Sequence, residues 1–173
     1  MRLIEQDDNQ FTFELSDQQK LLFERILKDY PIAQNSHHSI SKSSETVELP
    51  DQQQLLEEAL AENRAEMKRK VGNFLRDPRR FEETEQGWRV SILARQVDWL
   101  LQVLNEIRIS SWHRLNCPEH EDLELLREDP ESFLRMKLCG QFQTVLLWAL
   151  DGNVVPDEFD HREEPDETEG PVE

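Results

Sequence analysis

His113, Cys117 and His120 fall within eight residues of one another, and Cys139 follows farther along the chain. Imidazole and thiolate are ligands that zinc takes readily, four at a time in a structural site. Such sites show two close ligand pairs. Here Cys117-Pro118-Glu119-His120 is a single pair with no second pair at matching spacing, so no metal is assigned. A disulfide between the two cysteines would need Cα atoms within about 7 Å. Cys117 precedes a loop, whereas Cys139 lies about nine residues into a predicted helix, roughly 13 Å along its axis. A native bridge is not expected.

Other reaction chemistry is equally sparse. The five glycines form no phosphate-cradling loop, and no Ser or Cys sits in a nucleophile-elbow sequence. Carboxylates are abundant, as on any acidic surface, and none stands out as a paired acid and base. No catalytic residue and no cofactor are expected. Two sets of residues suit binding instead. Arg64, Lys68, Arg69 and Arg76 belong to a basic run over residues 64–80, and a helix would place Arg64 with Lys68 and Arg69 with Arg76 on roughly one side. The plain alternative is a solvated face balanced by neighbouring acids, such as Glu66 four residues before Lys70. Asn105, Arg108 and Trp112 form the second set. Asn105 and Arg108 interrupt an otherwise apolar helix, where a buried arginine needs a carboxylate partner, so Arg108 either pairs internally or edges a groove.

The element that must position this second set runs from Val97 to Leu115. Its apolar side chains Val97, Leu100, Leu101, Leu104, Ile107 and Leu115, with Ser111 among them, recur every three or four residues, the period of one helix face. Val103, Ile109 and Trp112 widen that face beyond what one partner helix covers. Upstream, Phe11-Thr12-Phe13-Glu14-Leu15 alternates like a half-buried strand, and Asp7-Asp8-Asn9-Gln10 predicts a turn back to a short strand at residues 2–5. Ser16 and Gln19 make a capping box that opens a helix with Leu22, Phe23, Ile26, Leu27 and Tyr30, ended by Pro31.

Residues 31–50 are predicted as a flexible, serine-rich loop. After Pro50, Asp51 and Gln54 repeat the capping pattern, and Leu56, Leu60, Met67, Val71 and Phe74 continue a helical stripe to Asp77-Pro78. Glu85-Gln86-Gly87 is a break before the central helix starts between Arg89 and Leu93. Residues 119–128 read as a short helix or packed loop, and Asp129-Pro130-Glu131 opens a last helix closed by Asp151-Gly152. The expected fold is mainly α, a compact bundle of about four main helices with a small N-terminal β-hairpin. One helical domain spans residues 1–150, and residues 151–173 form a disordered acidic tail.

Composition bounds the function. The net charge is −17, and residues 151–173 hold ten acids against Arg162, a charge of −9 that leaves −8 for residues 1–150. That field repels phosphate backbones, so direct nucleic-acid binding is not expected. No apolar run reaches the ~18 residues of a membrane span, and the opening residues lack the form of a signal peptide. With only two cysteines, a reducing, cytoplasmic setting is expected.

Trp99-Leu100-Leu101-Gln102-Val103-Leu104-Asn105-Glu106-Ile107-Arg108-Ile109, followed by Arg114-Leu115, resembles the Trp-Leu-x-x-Leu-Asn-Asp-Leu-Arg-Leu then Arg-Leu pattern of a bacterial domain-of-unknown-function family, typified by the oxidative-stress transcriptional regulator AosR. The opening from Phe11 to Leu27 and the final helix from Phe142 to Leu150 are also similar to it. Glu106 stands where the family usually has Asp, and this chain lacks the closely spaced N-terminal cysteines through which that family's regulator senses oxidation. The resemblance implies a non-enzymatic regulator that contacts a sigma factor or polymerase. The expectation is therefore a protein working through protein–protein contacts. An adaptor or accessory factor in protein turnover is the alternative, and an unrecognised enzyme the third reading.

Overall fold

The computed structural model describes residues 1–32, 50–119 and 123–152. The serine-rich loop and nearly all of the acidic tail lie outside the described residues. Strand β1 (Arg2–Gln6) turns into β2 (Gln10–Leu15) through Asp7, whose Oδ1 accepts from the N–H groups of Asn9 and Gln10, each at 2.8 Å. Helix α1 (Asp17–Lys28) starts at the capping box read from the sequence: Ser16 Oγ accepts from Gln19 N at 3.2 Å, and Gln19 Oε1 accepts from Ser16 N at 3.1 Å. Helix α2 (Pro50–Arg76) begins at the proline; the Asp51 side chain, and with it the expected second capping box, lies outside the described side chains.

The next segment departs from expectation. The central helix does not start between Arg89 and Leu93; residues 81–93 form a second hairpin, β3 (Phe81–Thr84) and β4 (Gly87–Leu93), and the helix follows it. The antiparallel sheet has four strands in the order β1-β2-β4-β3, not two. Glu85-Gln86 is the hairpin turn. Gly87 follows it with φ +133°, and a Cβ there would stand 2.4 Å from the Leu15 carbonyl oxygen, so only glycine lets the strands close. Trp88-Arg89-Val90-Ser91-Ile92 carries the period of two that marks such a strand, with Val90 and Ile92 buried.

Helix α3 (Ala94–Arg114) starts where β4 ends, and Gln96 reaches back to accept from Leu93 N at 3.0 Å. Helix α4 (Leu123–Glu128) is short, and α5 (Pro130–Leu150) is capped by Asp129, which accepts from Ser132 N at 3.0 Å. That backbone donor holds the Asp129 carboxyl below its ordinary range.

The core lies between one face of the sheet and the four long helices. Phe13, Val90 and Ile92 from the sheet meet Phe23, Leu27, Val71, Leu100, Leu104, Ile107 and Leu146, all essentially buried. Phe23 joins the helices through edge-on contacts, with ring centroids 5.0 Å from Phe142 and 6.4 Å from Phe74. Two expected stripes are narrower than their spacing suggests. In α2, Met67, Val71 and Phe74 are buried but Leu55, Leu56 and Leu60 are exposed, because the packed elements lie against the second half of this helix. In α3, Ile109 and Trp112 lie outside the buried face, at 40% and 37% exposure.

Candidate functional site

The exposed side of α3 runs antiparallel to α5, with Leu101 beside Gln143 and Arg108 beside Gly140. Gln143 Nε2 donates to the Leu101 carbonyl at 3.3 Å, and the Arg108 stem passes Gly140, where a Cβ would meet its Cδ at 3.9 Å. Asn105 steadies Arg108 by accepting from its guanidinium at 3.2 Å. No carboxylate lies within ion-pair reach of Arg108 among the described residues, so of the two roles open to it the groove edge is the one occupied.

The chain reversal after α3 builds the end of the groove. Asn116 and Cys117 take left-handed backbone conformations, φ 60° and 57°. Cys117 N then donates to the Trp112 carbonyl at 3.0 Å, and the returning Pro118 carbonyl accepts from Trp112 Nε1 at 3.1 Å. This fixes the indole with part of its ring in solvent. The resulting cavity of about 680 Å³ has Trp112, Met136 and Leu147 as apolar wall, with Arg108, Lys137 and Glu119 around them. It is suited to gripping an apolar side chain, flanked by a carboxylate that Arg108 would receive.

The basic set is placed elsewhere and divided. Arg64 Nε donates to Glu106 Oε1 at 2.8 Å, while the Tyr30 hydroxyl donates to Glu106 Oε2 at 2.8 Å. Burial, then the Glu106 contact, pushes the Tyr30 hydroxyl upward, so it stays a donor. This cluster ties α1, α2 and α3 together. Arg76 folds back on its own helix, donating to the Gly72 carbonyl at 2.9 Å and to Asn73 Oδ1 at 3.1 Å. Lys68 and Arg69 are exposed. The structure thus places Arg108 and Trp112 in one groove, with Asn105 outside its lining as the hydrogen-bond partner of Arg108, and does not join Arg64, Lys68, Arg69 and Arg76 into a single surface.

The two thiols lie in different settings, and only Cys117 lies against an imidazole among the described residues. Cys117 Sγ is exposed, 3.3 Å from His113 Nδ1, whereas Cys139 is buried in α5 and its thiol is pushed up to about 12 by that burial. His120 lies outside the described residues. Both cysteines are free.

Sequence reasoning missed the second wall of the groove, Met136, Lys137 and Leu147. These residues sit at helical spacing on α5, but which face of α5 meets α3 is a tertiary fact. It also missed Arg135, 8% exposed, which pairs with Asp29 at 3.1 Å and Glu131 at 2.7 Å. The acid four residues earlier was the available signal.

No family model, no curated protein and no solved structure matches this chain. Among the described residues, no helix is long and apolar enough to cross a membrane, and no cluster of three or more His, Cys, Asp or Glu side chains is placed to hold a metal.

Proposed function

We propose that this protein is a non-enzymatic regulator that works by holding another protein in the α3–α5 groove. The observation that carries this reading is the groove itself: a partly exposed tryptophan fixed by a backbone hydrogen bond, an arginine with no carboxylate partner among the described residues, and an apolar wall in which Leu147 is exposed beside the buried Met136. Tryptophan and arginine dominate the energetics of protein interfaces because they combine large contact area with directed polar groups. The partner should present an apolar side chain flanked by acids. The likeness of the α3 sequence to the AosR-type family makes a sigma factor or polymerase subunit the first partner to test.

Capture from the native host's cells tests the proposal. The wild-type chain should retain a partner that an Arg108→Glu/Trp112→Ala variant loses and a Lys68→Glu control keeps. Recovery of the same proteins in the same amounts by all three would refute it. The chain itself should not bind duplex DNA at physiological salt, where each phosphate contact is weakened and the net charge of −17 opposes the approach. A fluorescence anisotropy titration showing sequence-specific binding tighter than micromolar would overturn that expectation.

A further inference from the structure

A second cavity, of about 410 Å³, lies where the end of α2 meets the first turn of α3, well apart in the chain from the groove residues on α5. The inference drawn from it does not rest on the reading of the groove. Its lining carries Lys70, Arg80 and Arg95 against one carboxylate, Asp77, which is already paired with Arg79 and Arg80. Arg95 is exposed and has no carboxylate within ion-pair reach among the described residues. Arg80, 8% exposed, forms the fixed floor: its guanidinium donates to the Ser91 carbonyl and to Asp77 Oδ2 at 3.3 Å, and packs 4.9 Å from the Phe74 ring centroid. Lys70 completes the set and is shared with Glu66 at 2.8 Å.

The neutral groups point the same way. Asn73 accepts from Arg76, and a guanidinium can only donate, so the Asn73 oxygen is the end in use and its NH₂ is the end left over. Gln96 accepts from the Leu93 N–H, so its NH₂ is likewise left over. Trp99 has no acceptor for its indole N–H among the described residues. The first turn of α3 carries no acidic side chain, and a helix N-terminus favours an anion. Burial lowers the affinity of the Arg80 guanidinium for its proton, Asp77 opposes that shift, and Arg79 and Arg95 add a smaller like-charge repulsion. In a chain of strongly negative charge, these cations have been gathered against their mutual repulsion.

We propose that this cavity binds the phosphate group of a small phosphate monoester, with Arg95, the Gln96 and Asn73 amides and Lys70 as donors and Arg80 as the fixed positive floor. Among the residues that line the cavity, Lys70, Arg80 and Arg95 stand against the single carboxylate Asp77, so the local excess of positive charge suits a dianion better than a single carboxylate. A monoester carries close to two negative charges at neutral pH, and the planar guanidinium matches phosphate oxygens in pairs.

The test is a titration of the full chain with inorganic phosphate and with glycerol phosphate, at pH about 7.5 and constant ionic strength, followed through the Trp99 indole N–H resonance. Saturable shifts are expected, weakened about tenfold or more by Arg95→Glu and by a lesser factor by Lys70→Gln. Because Arg95 and Lys70 are not buried, both variants should melt like wild type. Tighter binding of glycerol phosphate supports an organic monoester, and equal binding supports recognition of the phosphate group alone. Absence of saturation, binding indifferent to Arg95→Glu in a folded protein, or displacement of either probe by duplex DNA at lower phosphate concentration would overturn the proposal.

Discussion

The two faces of α3 are built from the same twenty-one residues and meet opposite demands. On the inner face Leu100, Leu104, Ile107 and Ser111 have no measurable exposure and contact the sheet and helices on several sides. On the outer face Asn105, Arg108 and Trp112 keep part of their surface in water, and Arg108 and Trp112 form one wall of a groove with α5. The inner face is constrained by packing density, where a lost methylene leaves a void. The outer face is constrained by very little that folding requires, yet it holds an indole in one fixed orientation. That difference separates what keeps the protein folded from what is left available to a partner.

If this division is correct, substitutions should fall into two classes. Leu104→Ala should have the largest effect, on the order of 2–5 kcal/mol in urea denaturation, the range for emptying a buried leucine site. Glu106→Ala should cost about 1–2 kcal/mol, because Tyr30 and Arg64 lose a shared acceptor, discounted for partial solvent access. Asp129→Ala, which uncaps the α5 wall, should cost about 0.5–2 kcal/mol at neutral pH. Its pH dependence has a definite sign. The Asp129 carboxyl is held below its ordinary range, so the stabilisation is fully present above about pH 4 and is lost as pH falls through the lower folded value. Wild type and Asp129→Ala melts should therefore converge in acid.

Ser111→Ala sharpens the comparison from the other side. Its hydroxyl is fully buried with no hydrogen-bond partner among the described residues, so its removal should be neutral or slightly stabilising despite its central position. A loss above about 1 kcal/mol would show that the hydroxyl has a partner. The smallest effects belong to the outer face: Arg108→Ala and Trp112→Ala should each change stability by no more than about 0.5–1 kcal/mol in the same denaturation experiment.

Much of the inner face was legible in the sequence. Period and capping placed α1, the core of α3 and the start of α5 because those signals are local: the Ser16/Gln19 box and the Asp129-Pro130 start satisfy helix ends without help from distant residues. The second hairpin was also written locally, in the alternation from Trp88 to Ile92, but the apolar period of α3 was extended backwards over it. Leu56 and Leu60 were misread for a different reason. Helical period states which residues share a face and cannot state that the packed elements cover only half of a 27-residue helix.

The candidate site was half visible. Arg108 and Asn105 announced themselves as polar groups on an apolar helix. Their opposing wall came only from the pairing of α3 with α5, which joins residues some forty positions apart. Arg80 was visible only as the last base of the run over residues 64–80, and Arg95 carried no local sign. A run of bases in a sequence does not say which of them face solvent, which turn back on their own helix as Arg76 does, and which converge on a cavity.

The division between the faces of α3 is tested most directly by measuring, by calorimetry, the affinity of the captured partner for wild type and for the Arg108→Glu/Trp112→Ala variant, with a denaturation curve for each. The variant is expected to melt within about 1 kcal/mol of wild type and to bind at least about a hundredfold more weakly, as loss of two interface anchors implies. Unchanged affinity in a variant of unchanged stability would contradict the assignment of this groove as the partner surface.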